Sequence, residues 1–505
     1  MNSLPDILQA LARQQPDRTA LRSPEGEIRY DELLKAVNQV AGQLQTLAVT
    51  RVGLCGDNAP GWIIADLACR VAGIVCVPIP GFFSTSQTQH LINQAGLDGL
   101  LFGAPTDLRG LAVEDVVDVW GPICFKRLAR VASALALPEG TSKVTFTSGS
   151  TGTPKGVCLD DHHQDATAIA LAEVVGDLEI ASHLCVLPLA TLLENIAGVY
   201  LPLMLGATIH VWPLADLGFS GSSRLDAQRF ADVINRCKPD SMILVPELAT
   251  VAVRLAESGA FAGHRFRFLA VGGGRVSPDM LARAKERGLP LYEGYGLSEA
   301  GSVVALNVPD ANRPGCAGRP LSHIAVTVDS NGEIRVCGNT FLGYMGEGIA
   351  AHDPGDCYLT GDLGYLDGDG FLVVNGRSKN LLITSYGRNI NPEWLESELI
   401  QQVGVRQALV YGDGCAQPSA LVTVDPDQDT STLARDITAL NRTLPDYARL
   451  QSVRLLREPF RPGGGFVTPN GRLMRHVLMP ALAEFLRLAE PLPIADAHEP
   501  EARRA

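Results

Sequence analysis

Thr147-Ser148-Gly149-Ser150-Thr151-Gly152-Thr153-Pro154-Lys155-Gly156 holds three glycines, five hydroxyls and one lysine within ten residues. It follows the strand-like run Val144-Thr145-Phe146. Glycines let the backbone turn tightly and bring N–H groups against an anion, hydroxyls donate further hydrogen bonds, and lysine adds a full charge. That is the chemistry of a phosphate cradle. Gly156 stands where the common nucleotide loop, G-x-x-x-x-G-K-[ST], needs a magnesium-binding hydroxyl, so this is a different kind of loop. Ser/Gly composition more often marks a flexible surface loop. Lys155 and the abrupt strand before it argue against that origin here.

Four further stretches carry chemistry-bearing residues. Tyr292-Glu293-Gly294-Tyr295-Gly296-Leu297-Ser298-Glu299 offers glycines for close approach, tyrosines to stack on a flat ring, and a carboxylate, Glu299, suited to a hard divalent cation. A glycine-rich turn with a solvated glutamate is an equally good account of that stretch alone. In Thr360-Gly361-Asp362, an aspartate after a strand suits the two hydroxyls of a ribose. Asp367-Gly368-Asp369-Gly370 lacks the remaining ligands of a calcium loop and reads as a hairpin turn. Gly387-Arg388-Asn389 precedes Pro392-Glu393-Trp394, an ordinary capped helix start. Thr468-Pro469-Asn470-Gly471-Arg472 is a tight turn feeding a basic helix, for which a solvated surface turn is the simplest account.

These stretches need a scaffold. Residues 1–375 alternate strand-like and helix-like segments, such as Trp62–Ala72, Met242–Val245, and Phe266–Val271 leading through Gly272-Gly273-Gly274 to Pro278–Gly288. Such alternation predicts an α/β fold of parallel-type sheets covered by helices, with ligands at the carboxyl ends of the strands. Beyond about 375 the texture changes to a small α+β unit, with strands at Ala408–Tyr411 and Ala420–Val424 and a helix at Thr432–Asn441. The expected domains are 1–378 and 379–490. From Pro491 the acidic tail, 491–505, lacks periodicity and is expected to be disordered.

Bulk properties narrow the function. The 505-residue chain is 46% hydrophobic and 19% charged, a well-buried protein of more than one domain. A net charge of −13 excludes a general nucleic-acid binder. Eleven scattered cysteines without a C-x-x-C or a Cys/His cluster, and no secretory apolar run in Met1–Ala20, predict reduced thiols and a cytoplasmic location. The apolar run Ile196–Trp212 is short for a membrane span and is read as a buried helix running into a strand. No transmembrane span is expected, and peripheral membrane contact stays open.

In order, the phosphate loop, Tyr-Gly-x-Ser-Glu, Thr-Gly-Asp, Gly-Arg-x-Lys and Asn-Gly-Arg resemble the motifs of the adenylate-forming acyl-activating enzymes. These include acyl-CoA synthetases, peptide-synthetase adenylation domains and firefly luciferase. The match runs from about Leu4 to Leu478, and five ordered motifs are hard to meet by coincidence. Asp57–Trp62 and Leu187–Ala190 look most like the fatty-acyl-CoA synthetase branch.

The resemblance implies two half-reactions. A carboxylate attacks the α-phosphate of ATP to give an acyl-adenylate and pyrophosphate, and a thiol, of CoA or of a carrier protein's phosphopantetheine, then displaces AMP. By motif, Thr147, Ser148, Gly149, Ser150, Thr151, Gly152, Thr153 and Lys155 would hold phosphates, and Thr147 and Glu299 would place Mg²⁺. Gly272, Gly273, Gly274 and Tyr295 would flank adenine, beside Gly296 and Ser298. Asp362 would hold the ribose with Arg377 nearby, Lys379 would be the hinge of a mobile C-terminal domain, and Gly387 would line the pantetheine tunnel. Lys155, Glu299 and Arg472 would carry the catalysis.

Two departures stand out. Many relatives have a Gly-Lys pair where this chain has Gly471-Arg472, and Thr191 stands where fatty-acyl relatives often have an aromatic or histidine gate. Arginine keeps the charge but presents a planar fork. A small hydroxyl leaves more room by the acyl pocket, while Leu192 and Leu193 are first read as core. The leading expectation is an acyl-CoA synthetase acting on an apolar acid. A carrier-protein acyl ligase, a cyclising ligase of β-hydroxy acids and a catalytically silent nucleotide-binding relative are the alternatives. The stretch Pro80–Gln94 is either a pocket wall or an interface.

Overall fold

The computed structural model describes residues 3–103, 116–129, 134–147, 155–220, 224–347, 357–426, 428–461, 464–467 and 473–494. The fold is α/β, with a large N-terminal part built on sheets and a smaller C-terminal part. A nine-stranded sheet has five consecutive neighbours, Leu291–Tyr295, Phe268–Val271, Ser241–Leu244, Ser182–Cys185 and Thr208–Val211, all running parallel. An eight-stranded sheet carries Lys143–Thr147 between Val75–Pro78, parallel to it, and Lys155–Leu159, antiparallel to it. The residues that begin and end the predicted phosphate loop therefore lie opposite each other, with Thr147 paired to Lys155.

Helix Pro60–Ala72 shows why the sequence folds this way. Pro60 starts it, Gly73 ends it at φ 69°, and Gly61 to Cys69 are all buried, as an all-round apolar helix requires. Asp66 lies in the middle of that run. Its carboxylate meets Lys143 Nζ at 2.8 Å, Tyr200 Oη at 2.7 Å and Asn195 Nδ2 at 2.9 Å, and Lys143 also donates to Asn195 and Tyr200. This buried network locks the strand that ends in Thr147 to the π-helical segment Glu194–Tyr200. Removing one partner of a buried pair strands the other charge and costs about 3–5 kcal/mol. Lys143→Met is expected to lose that much in urea unfolding, and Lys143→Met with Asp66→Leu to regain most of it. A single-variant loss below ~1 kcal/mol would show the pair to be dispensable.

The alternating pattern gives way before residue 375. Ile324–Val328, Glu333–Gly338, Tyr358–Leu366 and Leu372–Arg377 form an antiparallel sheet, whose two outer pairs close as hairpins through tight turns. Asp367 makes one of those turns, accepting from Asp369 N and Phe371 N at 2.9 Å. Asp362 consequently lies within a strand, Tyr358–Leu366, and not after one. The expectation that every cysteine is a reduced thiol is also corrected. Cys337 and Cys357 form a disulfide, because pairing of Val336 with Tyr358 makes them cross-strand neighbours. The other nine cysteines take part in no disulfide.

In the C-terminal part, Val405–Tyr411, Ser419–Val424, Val453–Leu456 and Glu490–Leu492 form a four-stranded sheet, packed with helices Pro392–Ile400 and Thr430–Thr443 around Leu395, Val422 and Ile437. Glu490–Leu492 shows that order extends past Pro491: Leu492 is buried in that core and the strand pairs with Val453–Leu456. Residues 495–505 of the predicted tail lie outside the described residues. Ile196–Trp212 is a buried π-helical and helical turn leading into strand Thr208–Val211, and among the described residues no helix is long and apolar enough to cross a membrane.

Candidate active site

One cavity of about 410 Å³ brings together six of the candidate site residues. It opens where Thr147, Gly272, Gly273, Tyr295, Gly296 and Ser298 meet, at the carboxyl ends of their strands. Gly296 cannot be replaced without movement, since a Cβ there would lie 1.7 Å from the Ser302 carbonyl oxygen. Gly274 follows Gly273 in the same turn but does not line the cavity.

Lys155 and Glu299 converge on Tyr344, a residue the sequence did not flag, and Thr147 is the strand partner of Lys155. Tyr344 pairs with Val157 and donates to Glu299 Oε1 at 2.7 Å, and Lys155 Nζ sits 4.7 Å from its ring centre. Tyr344 also shares a hydrogen bond of 2.9 Å with Tyr358. Burial pushes the Tyr344 phenol well up, so it stays protonated and donates. No local pattern marks Tyr344; only the pairing of Gly343–Tyr344 with Lys155–Leu159 brings it there. Ser148, Gly149, Ser150, Thr151, Gly152 and Thr153 lie outside the described residues, as does Arg472.

A second convergence centres on Asp362. Tyr295 Oη donates to its Oδ2 at 2.6 Å, and Arg377 Nε lies 3.2 Å from Oδ1. Burial raises the Asp362 carboxyl, opposed by the Tyr295 hydrogen bond and Arg377. Each oxygen keeps a lone pair for an incoming hydroxyl. Lys379, exposed in the turn Ser378–Asn380, and Gly387, exposed at φ 73°, do not line the cavity.

Three features of the far wall went unpredicted or unresolved. Pro80, Phe82, Phe83 and Gln87 line the cavity, so that stretch is a pocket wall. Thr191 lines it too, with its hydroxyl donating to the Pro188 carbonyl at 2.7 Å, and Leu192 and Leu193 are both core and lining. Asn58 clasps this loop, donating to Leu187 O and accepting from Leu189 N, each at 2.8 Å. The two sequence stretches singled out separately are thus one structural unit. His183, Cys185 and Glu194 gather in a buried cluster that no spacing in the sequence reveals.

Glu293, one residue before Gly294, is half-buried, with Gly315 N donating to it at 2.7 Å. Burial pushes its carboxyl up to about 7. A raised carboxyl contributes most below its unfolded value, near 4.5, and that contribution is lost as pH rises to about 7. Glu293→Gln is expected to be more stable than the parent at pH 8 by ~2–3 kcal/mol and about equal to it at pH 4.5. Urea titrations at both pH values test this, and a pH-independent difference would remove Glu293 as the cause.

Such an arrangement, with candidate phosphate-, cation- and ribose-binding groups together with an apolar cavity, suits an enzyme that joins a nucleotide to an apolar acid. The sequence profile of AMP-binding enzymes matches residues 8–346, and that of the AMP-binding enzyme C-terminal domain matches 379–483. The chain belongs to the AMP-binding enzymes.

Similar curated proteins include the 2-succinylbenzoate–CoA ligase of Enterococcus faecalis, 30% identical, covering 86% of this chain and 91% of that protein. The enzyme of the same description from Bacillus licheniformis is 26% identical, covering 81% and 86%. A long-chain-fatty-acid–CoA ligase of Mycobacterium bovis is 26% identical, covering 78% and 77%. Among solved structures, an anthranilate CoA ligase with anthranoyl-AMP superposes with a TM-score of 0.77 at 20% identity, covering 96% of this chain and 98% of that one. The o-succinylbenzoate CoA synthetase of Bacillus subtilis with ATP and magnesium gives 0.73 at 22%, covering 94% and 99%. These comparisons do not single out the fatty-acyl branch, and the expected lean toward it is withdrawn.

Proposed function

We propose that this enzyme activates a monocarboxylic acid with an apolar, aryl-bearing body and transfers it to CoA. It is an AMP-forming acid–thiol ligase that uses ATP, Mg²⁺ and CoA and proceeds through an acyl-adenylate. The observation carrying the choice of acid is the cavity lining. Phe82, Phe83, Phe146 and Phe268 contribute rings, leucines fill much of the rest, and none of the described lining residues is Lys or Arg. A second carboxylate on the acid would have no cation to meet there. The relatives described by 2-succinylbenzoate and anthranilate support an aromatic body, and the small Thr191 side chain leaves room for a ring.

In this reading Thr147 and Glu299 hold Mg²⁺, whose preference for hard oxygen ligands they fit, and the ion offsets phosphate charge. Lys155 adds its own charge to the same side, and Tyr344 fixes the Glu299 carboxylate. Asp362, oriented by Tyr295 and Arg377, accepts the ribose hydroxyls. These residues position and neutralise, which is most of what phosphoryl-centre displacement needs.

The test is mass spectrometry of enzyme, Mg-ATP and a panel of aryl, alkyl, dicarboxylic and β-hydroxy acids, with and without CoA. Aryl acyl-CoA formed only in the presence of CoA is expected. Acyl-AMP that ignores CoA would favour a carrier protein or a cyclising second step, and a preference for dicarboxylic acids would overturn the reading of the lining.

A further inference from the structure

The acid cavity runs along one face of the parallel strands and reaches polar groups at its far end. Strand pairing sets His183, Ser241 and Phe268 in one row, while Ile243 and Ala270 form the next row on that face. Gly272, at the mouth, is four residues beyond Phe268, so the two ends lie about 13 Å apart at the usual strand rise. All six residues line the cavity. The middle row is apolar and the far row is not.

His183 and Ser241 are buried, and His183 Nδ1 lies 2.9 Å from Ser241 Oγ. Behind them, His183 Nε2 faces Glu194 Oε1 at 3.7 Å. Neither Nε2 nor either Glu194 oxygen has a hydrogen-bond partner of ordinary length. Room for Glu194 comes from Gly198, where a Cβ would approach Oε1 to 2.8 Å and His183 Nε2 to 3.1 Å. Both residues belong to the π-helical segment, a local irregularity that often accompanies a functional site. Leaving a buried polar group short of partners costs about 1–3 kcal/mol each. Three of them stand directly behind the His183–Ser241 row of a cavity whose lining is mostly apolar.

We propose that the Ser241–His183 pair, backed by Glu194, recognises a neutral hydrogen-bonding group, a hydroxyl or keto oxygen, carried by the acid about 13 Å from its reacting end. This rests on the acid-ligase reading above. The group is neutral because the buried carboxyl of Glu194 stands behind the pair and no Lys or Arg is among the described lining residues. The pair specifies substrate and takes no part in bond making. A site built to hydrogen-bond a substrate hydroxyl rejects the analogue that lacks it, whereas an apolar pocket barely discriminates.

Matched aryl and alkyl acids differing only in a terminal hydroxyl test this, read both as kcat/KM for acyl-CoA formation and as the thermal shift each acid produces without ATP. The parent is expected to favour the hydroxylated partner by about thirtyfold or more at the fitting length. Ser241→Ala is expected to bring that ratio below about threefold, and Ser241→Thr, which keeps the hydroxyl, to retain most of it. Equal treatment of both partners by the parent, or an unchanged ratio in Ser241→Ala, overturns the proposal. So does stoichiometric zinc in the purified protein that is lost in His183→Gln, which would make His183, Cys185 and Glu194 a metal site. If no acid yields AMP, the acid-ligase reading fails, while the thermal shifts still decide this one.

Discussion

Lys379→Pro is expected to leave adenylate formation within about threefold of the parent and to slow thioester formation by more than about a hundredfold. The contrast follows from where Lys379 sits. It is the second residue of the short turn Ser378–Asn380, between the strand that ends in Arg377 and the first strands of the C-terminal part. Proline is tolerated in a first helical turn, so the present arrangement survives, with Met474 and His476 at the cavity. A swing of the C-terminal part between the half-reactions needs large backbone rotation at a few residues, and proline fixes one of those angles. Gly387 supports the same proposal. It is not among the cavity-lining residues here, so a role beside pantetheine fits a movement of that part of the chain. Pyrophosphate exchange reports the first half-reaction, and quenched-flow transfer from preformed adenylate reports the second. Equal losses in both would remove Lys379 as the hinge.

The parallel sheets were legible because buried strands read as short apolar runs separated by helix-length segments. Ser241–Leu244 followed by Pro246–Glu257 is one such unit. Within 319–377 the hairpin turn at Asp367–Gly370 was legible, but the pairing of Glu333–Gly338 with Tyr358–Leu366 was not, because it spans a long insertion whose length says nothing about register. The disulfide was missed for the same reason. At the site, each glycine-rich or acidic stretch could be found because backbone approach and charge demand particular residues. Tyr344, Asn58, His183 and Glu194 act through tertiary neighbours: a tyrosine on a two-residue strand, an asparagine bridging a loop 129 residues away, and a histidine whose partners lie on two other elements. Single residues of that kind carry no local pattern.

Arg472→Ala is expected to lower adenylate formation by about a hundredfold to a thousandfold, and Arg472→Lys to keep it within about fivefold. The reasoning is electrostatic. Among the described residues lining the cavity there is no lysine or arginine, so the charge that develops between acid and α-phosphate needs a cation from elsewhere in the chain. Arg472 immediately precedes, in sequence, the segment holding Met474 and His476, which line the cavity. The helix behind it is anchored by Arg475, whose Nη1 donates to Glu396 Oε1 at 2.6 Å and whose other nitrogen donates to the Val410 carbonyl. Lysine would restore the point charge used by many relatives, while arginine's fork reaches differently and is less strongly hydrated. If the positive charge is what matters, Arg and Lys will be nearly interchangeable and alanine will be crippled. Pyrophosphate exchange with the preferred acid measures all three. An Arg472→Ala enzyme that exchanges at the parent rate would place the cation elsewhere, and loss in both variants alike would show that the guanidinium's two-pronged geometry, not its charge, is being used.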